Sequence, residues 1–248
     1  MKQSLAPDTG PIQVMTSFRN ILAIVILVAW GSYCLHATEP DWEFIKEQDG
    51  IRLYRRNVPG TRLDEFKGET VIDARIDVIG MALRDVPAYP TWMPDCQQIR
   101  FVEKFDEENF IFYQIQNAPW PIIDRDAVVK VSTIIDWEVG RFTVTLQDIE
   151  DPRVPPVPNL VRLAHLSGQW HVEFLDRGHS RVTYTFTADP AGALPINMVN
   201  ANLQKAPYTT LQGLRHIVRE PMYIEAANQS QDKQMLERSI KLGYLTVR

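Results

Sequence analysis

The sequence predicts an α+β fold: an antiparallel sheet covered by a long C-terminal helix. Three observations predict it. Between Ile51 and Thr187, strand-length segments alternate apolar and polar residues. These segments follow one another through short polar turns, which implies an antiparallel meander. After Pro195 the apolar spacing changes from two residues to three and four, the period of an amphipathic helix.

Each element has its own signal. Pro40 and Asp41 precede Trp42–Gln48, which is expected as a short helix with Asp41 as N-cap. Asp49-Gly50 marks a turn before the alternating strand Ile51–Asn57. Leu63–Ala74 is its neighbour. Ile76, Ile79 and Leu83 give Ile76–Arg84 a helical face, and Pro87 ends it. Tyr89–Asp95 reads as a second short helical segment or turn. Ile99–Phe105 and Phe110–Gln116 flank the polar loop Asp106–Asn109. Ala127–Ile135 and Arg141–Ile149 follow as strands, then Gln169–Leu175 and Arg181–Thr187 as a hairpin through Arg177-Gly178. Asp151–Asn159 holds four prolines, which excludes helix and central strand, so it is expected as a rigid surface loop near a cavity mouth. From Pro195 to about Pro221 one helix is expected, kinked at Pro207, with Val199, Leu203, Leu211, Leu214 and Val218 on its apolar face. Residues 227–248 read as a polar C-terminal tail.

Composition narrows the function. The 248 residues carry a net charge of −5, which disfavours a sequence-independent grip on nucleic acid. Ile21–Leu35 is an apolar run of fifteen residues, short of the roughly 20 needed to span a membrane. With Arg19 before it and Ala37 after it, residues 1–37 are expected to be an export signal, with translation starting at Met15. An uncleaved membrane anchor is the alternative. Cleavage after Ala37 leaves Cys96 as the one cysteine, so no disulfide forms within the mature chain.

A large twisted sheet with an apolar inner face must be covered, and one helix about 10 Å across cannot fill it. The residues alone leave two outcomes open: a core plugged by large side chains, or a hollow. The inner-face aromatic residues are Phe110, Phe112, Phe142, Trp170 and Phe174.

The stretch from Trp92 to Asp126 contains Trp92-Met93-Pro94-Asp95, then two apolar strands, then Pro119-Trp120-Pro121, then Arg125-Asp126 opening a strand. Ser167-Gly168-Gln169-Trp170 and the segment DPAGALPINMVN (Asp189–Asn200) follow. In this order and spacing the segments resemble the START family of lipid-transfer domains, over about Pro40–Ala226. The resemblance implies a helix-grip fold over residues 38–226: a curved antiparallel sheet wrapped around a long C-terminal helix, with an internal apolar cavity. It implies binding and transport of a lipid without an enzymatic step or cofactor, and transient membrane contact. The expected cavity lining is Phe110, Phe112, Tyr113, Phe142, Val144, Leu146, Trp170, Val199 and Leu203. Trp92, Trp120, Arg125, Asp126, Asp189 and Gly192 match the family's structural motifs, with Arg125 and Asp126 expected to form an ion pair fixing the entry of Pro119-Trp120-Pro121, or, as the alternative, to contact the ligand. Polar candidates for the interior are Tyr113, Gln114, Gln116, Lys130 and Arg162. Sterol-binding members carry a buried arginine on the strand that here reads Ala127–Val131, without one, which disfavours a sterol.

Catalytic patterns are absent from the sequence. No Gly-x-Ser-x-Gly elbow or phosphate-binding glycine loop occurs, and the five histidines have no metal-ligand spacing with one another or with cysteine. A cyclase or hydrolase on the same scaffold and a membrane-tethered lipid sensor remain as rivals. An exported carrier working in a bacterial periplasm is the leading expectation.

Overall fold

A computed structural model describes residues 41–119 and 121–247. The export signal over residues 1–37, the start at Met15 and the placement of Trp120 lie outside the described residues.

Ten strands in one sheet account for the apolar alternation. They are β1 (Glu43–Gln48), β2 (Ile51–Asn57), β3 (Asp64–Ile72), β4 (Cys96–Lys104), β5 (Asn109–Gln116), β6 (Arg125–Asp136), β7 (Arg141–Asp148), β8 (Val161–Arg162), β9 (His165–Phe174) and β10 (Ser180–Asp189). Their order is β1-β2-β3-β10-β9-β7-β6-β5-β4, with the short β8 beside β6. All pairings are antiparallel except β6 with β8.

Between β3 and β4 the chain forms α1 (Ile76–Arg84), a 3₁₀ turn (Val86–Ala88) and α2 (Tyr89–Trp92). After β10 come α3 (Ile196–Leu203), α4 (Ala206–Ile217), α5 (Pro221–Gln229) and α6 (Gln231–Lys241). The curved antiparallel sheet with C-terminal helices against its inner face is the helix-grip architecture the sequence predicts.

Four local expectations are corrected. Trp42–Gln48 does not form a helix. Glu43–Gln48 is an edge strand, because Asp49 (φ 51°) and Gly50 (φ 68°) form a two-residue turn that returns the chain as a hairpin, with Gln48 opposite Ile51. The long C-terminal helix is interrupted at Gln204-Lys205. Pro207 lies in the first turn of α4 and has no N–H for the carbonyl of Leu203, so the hydrogen-bond ladder stops there. Pro221 begins a further helix rather than ending the fold. Finally, residues 227–248 are not a polar tail. Ser230 caps α6 by accepting from Lys233 N at 3.1 Å, and Leu236 and Leu245 are buried in the main core. The C-terminal helices are accordingly part of the compact unit.

The proline loop is corrected in place as well. Val154 packs with Ile111, Tyr113 and Val128, which are out of phase with Phe110 and Phe112 and so lie on the outer face of the sheet. Asp151–Asn159 therefore covers the convex side.

The inner face divides into two halves. In one, Phe110, Val131, Phe142, Val144 and Trp170 pack in one core with Ile76, Ile79 and Leu83 of α1, Tyr223 of α5 and Leu236 of α6. The gap left between α1, β6 and β7 is only about 10 Å³, about the least that holds one water. Helices α1, α5 and α6 thus close this half. The other half lies under α3 and α4.

Candidate functional site

Under α3 and α4 the sheet and helices enclose a cavity of about 600 Å³. Its walls come from alternate residues of several strands. Phe112 projects from β5, Val129 from β6, Leu146 from β7, Leu166 and Gly168 from β9, and Tyr184, Phe186 and Ala188 from β10. Tyr89 and Met93 close it from the α2 side. Val199, Leu203 and Ala206 cover it from α3 and α4. Gly168 supplies extra room: it faces Leu146 and Phe186 with no side chain of its own. Helix α4 docks closely on the sheet and on α2 beside the hollow. Gly68 of β3 admits Leu211 and Pro207, and Gly213 of α4 lies so near Trp92 that a Cβ there would sit 2.0 Å from the Trp92 carbonyl oxygen. Further ties hold α4 to the β1–β2 turn: Arg215 Nη1 donates to Asp49 O at 2.6 Å, and Tyr208 Oη donates to the Asp49 carboxylate.

Of the nine residues expected to line the cavity, Phe112, Leu146, Val199 and Leu203 do so. Phe110, Phe142 and Val144 belong instead to the closed half. Trp170 is 1 % exposed and stacks on Tyr184 with ring centroids 4.1 Å apart. Tyr184 lines the cavity, so Trp170 backs the wall rather than forming it. Tyr113 points to the convex face, where its hydroxyl donates to Asp126 Oδ2 at 3.0 Å. Alternation along β5 held the signal that separates Tyr113 from Phe112 and Gln114. Met93, Leu163, Leu166, Tyr184 and Phe186 line the cavity and were not expected there. Tyr184 and Phe186 were legible as one strand face; which half of that face stays open was not.

Among the polar candidates, Gln114 and Gln116 line the cavity, whereas Lys130 is exposed and Arg162 is on the outside. The expected ion pair between Arg125 and Asp126 does not form, because neighbouring strand residues point to opposite faces. Asp126 is 1 % exposed and takes a two-pronged bond from Arg162, with Nε at 2.9 Å and Nη2 at 3.1 Å. That pair ties β8 to β6 on the convex side. Arg125 turns inward to the cavity wall, where its Nε donates to Pro190 O at 3.1 Å and its Nη1 to Ile123 O. So an arginine does reach the cavity, although not from Ala127–Val131.

Trp92, Asp189 and Gly192 hold structural positions. Trp92 is buried edge-on to Tyr89 (5.2 Å between centroids), and its indole Nε1 has no hydrogen-bond partner. Asp189 Oδ1 accepts from Ala191 N at 2.9 Å in the loop before α3, where Ala191 (φ 57°) and Gly192 (φ 77°) both take the left-handed conformation. Pro195 is the N-cap of α3. This loop borders the open side of the cavity, with Pro190 and Leu194 in its wall.

Titratable groups elsewhere hold structural positions. Asp148 accepts from Leu166 N at 2.8 Å, and Asp151 pairs with Arg153 at 2.6 Å. Burial pushes the Cys96 thiol up to about 11, so it stays protonated at neutral pH. Among the described residues, no three His, Cys, Asp or Glu side chains are grouped to hold a metal ion, and no helix is long and apolar enough to cross a membrane.

A family model described as START domain matches residues 35–221. The chain is 32 % identical to the crystal structure titled STAR-related lipid transfer protein (fragment 25–204) from Xanthomonas axonopodis, with a TM-score of 0.66 over 72 % of this chain and 99 % of that one. It is 28 % identical to an uncharacterized protein of Pseudomonas aeruginosa across 79 % of this chain and 96 % of that protein. The rat phosphatidylcholine transfer protein is 24 % identical across 66 % of this chain and 77 % of its own length.

Proposed function

Because the chain belongs to the START domain family, we propose that it binds a lipid in the cavity under α3 and α4 and carries it without chemical change. The observation that supports this reading most is the cavity itself. Its volume of about 600 Å³ falls within the roughly 300–1,000 Å³ usual for small-molecule sites, and its walls are largely apolar. Each methylene buried there contributes about 0.8 kcal/mol, so chain burial supplies affinity with little selectivity.

The entry route in this reading is the loop Pro190–Leu194 with α3. Hydrogen exchange should be faster over 188–193 than in the preceding part of β10; equal strong protection would argue against a gate there. A cyclase or hydrolase would need an acid–base pair inside the hollow, and the carboxylate in the lining, Asp95, is exposed. The apolar N-terminal run supports export to a periplasm and transient contact with membranes at either end of transfer. If the run is retained, the protein is a tethered sensor. N-terminal sequencing separates the two: Thr38 as first residue removes the tether. The carrier reading is tested by native mass spectrometry of freshly purified protein with solvent extraction. A bound lipid released by solvent is expected; protein that neither retains nor takes up lipid would refute the proposal.

A further inference from the structure

Arg125 is the buried charged side chain of the cavity wall, while Asp95 and Lys205 of the same lining are exposed. Arg125 is 8 % exposed and, among the described residues, has no carboxylate partner. Of its five N–H donors, the carbonyls of Pro190 and Ile123 take two, which leaves three, including both on Nη2. Gln116 stands opposite Arg125 in the β5–β6 register, and Gln114 is the next residue on the same face. Gln114 is only 4 % exposed, and its amide faces the cavity without a hydrogen-bond partner among the described residues. Both groups therefore present spare donors to the cavity. One anionic group placed between them satisfies both: its oxygens accept from the Arg125 fork and from the Gln114 NH₂.

We propose that the cavity selects lipids with an anionic head, a carboxylate or a phosphate monoester, held by Arg125 and Gln114. This rests on the carrier reading and names its ligand class.

The test uses the purified protein loaded with the neutral dye N-phenyl-1-naphthylamine. Oleate, oleoyl lysophosphatidate, oleyl alcohol and dioleoyl phosphatidylcholine are compared as displacers. At least one of the two anions should displace the dye at a concentration at least about tenfold below oleyl alcohol, the worth of one charge-assisted hydrogen bond. Whichever anion is tighter identifies the head as carboxylate or phosphate. Arg125→Gln should bring the anion-to-alcohol ratio close to one. Gln114→Leu breaks no hydrogen bond described here and should lower the ratio severalfold, so the test survives if Arg125→Gln fails to fold. Equal displacement by anions and alcohol in the unaltered protein overturns the proposal, as does a ratio that persists in folded variants. Tighter displacement by dioleoyl phosphatidylcholine also overturns it while leaving the carrier reading standing. If neither dye nor any chain binds, the carrier reading itself falls.

Discussion

Gly168→Leu converts the cavity's size into a measurable chain-length limit. Gly168 has an ordinary strand backbone, and a Cβ there would meet its nearest neighbours at 3.5–3.6 Å, normal contact distance. The substitution therefore fits the sheet, and it replaces a weak strand residue by a better one. Its remaining carbons must enter the hollow. Four added carbons take the place of about four carbons of a bound chain. A bound chain then has about four fewer methylenes buried, a loss of about 3 kcal/mol or roughly a hundredfold in Kd. The assay is dye displacement by saturated fatty acids from decanoate to stearate. Stearate should lose roughly a hundredfold and decanoate little, while the melting temperature of the unliganded protein stays level or rises. A folded variant that binds stearate as tightly as the unaltered protein would show that chains do not reach β9, and the reasoning from volume would fail.

Other outcomes follow from single contacts. Leu203→Arg places a charge in the cavity cover and should abolish dye uptake in a protein that still folds; undiminished uptake would show that α3 does not face the ligand. Gly213→Ala forces a methyl to 2.0 Å from the Trp92 carbonyl oxygen, so α4 must shift, at about 1–3 kcal/mol and a fall of roughly 2–12 °C in Tm by thermal melting. Asp126→Asn removes the charge and one acceptor facing Arg162 at a site 1 % exposed and should cost about 1.5–3 kcal/mol by urea unfolding. Burial, then the hydrogen bond to Asp126, push Tyr113 up to about 12 from its ordinary 10.0. A raised folded pKa gives stability that is fully present below pH 10 and is lost as pH rises from 10 to about 12. Tyr113→Phe should flatten that part of the stability–pH curve by about 2–3 kcal/mol. An unchanged slope would place the alkaline sensitivity elsewhere.

Much of this protein was written in its alternations. The phase of Phe112, Leu146 and Trp170 along their strands fixes which side chains face inward, because a strand's period of two is local geometry. The same holds for Val199, Leu203, Leu211 and Leu214 on the helices. The motif order from Trp92 to Asn200 carried the family, and the family carried the cavity. Local reading failed where a turn outranked propensity. Trp42–Gln48 looked helical in isolation, yet the two-residue turn at Asp49-Gly50 committed it to a hairpin. Leu236 and Leu245 lay in a polar-looking stretch, and only their docking made them core.

The decisive division could not be read from any window of the chain. Phe110 and Phe112 are two residues apart on one strand face, yet Phe110 packs beneath a closed half and Phe112 borders the hollow. What separates them is where helices from distant parts of the chain land. Helices α1, α5 and α6 fill one end, whereas the break near Pro207 and the close approach at Gly213 hold α3 and α4 as a roof over the other. Side-chain direction is local and so is encoded residue by residue. Empty space is a difference between surfaces far apart in sequence, and only the assembled fold fixes it. For the same reason Arg125 and Asp126, adjacent in the chain, end with one facing the cavity and the other paired on the outside.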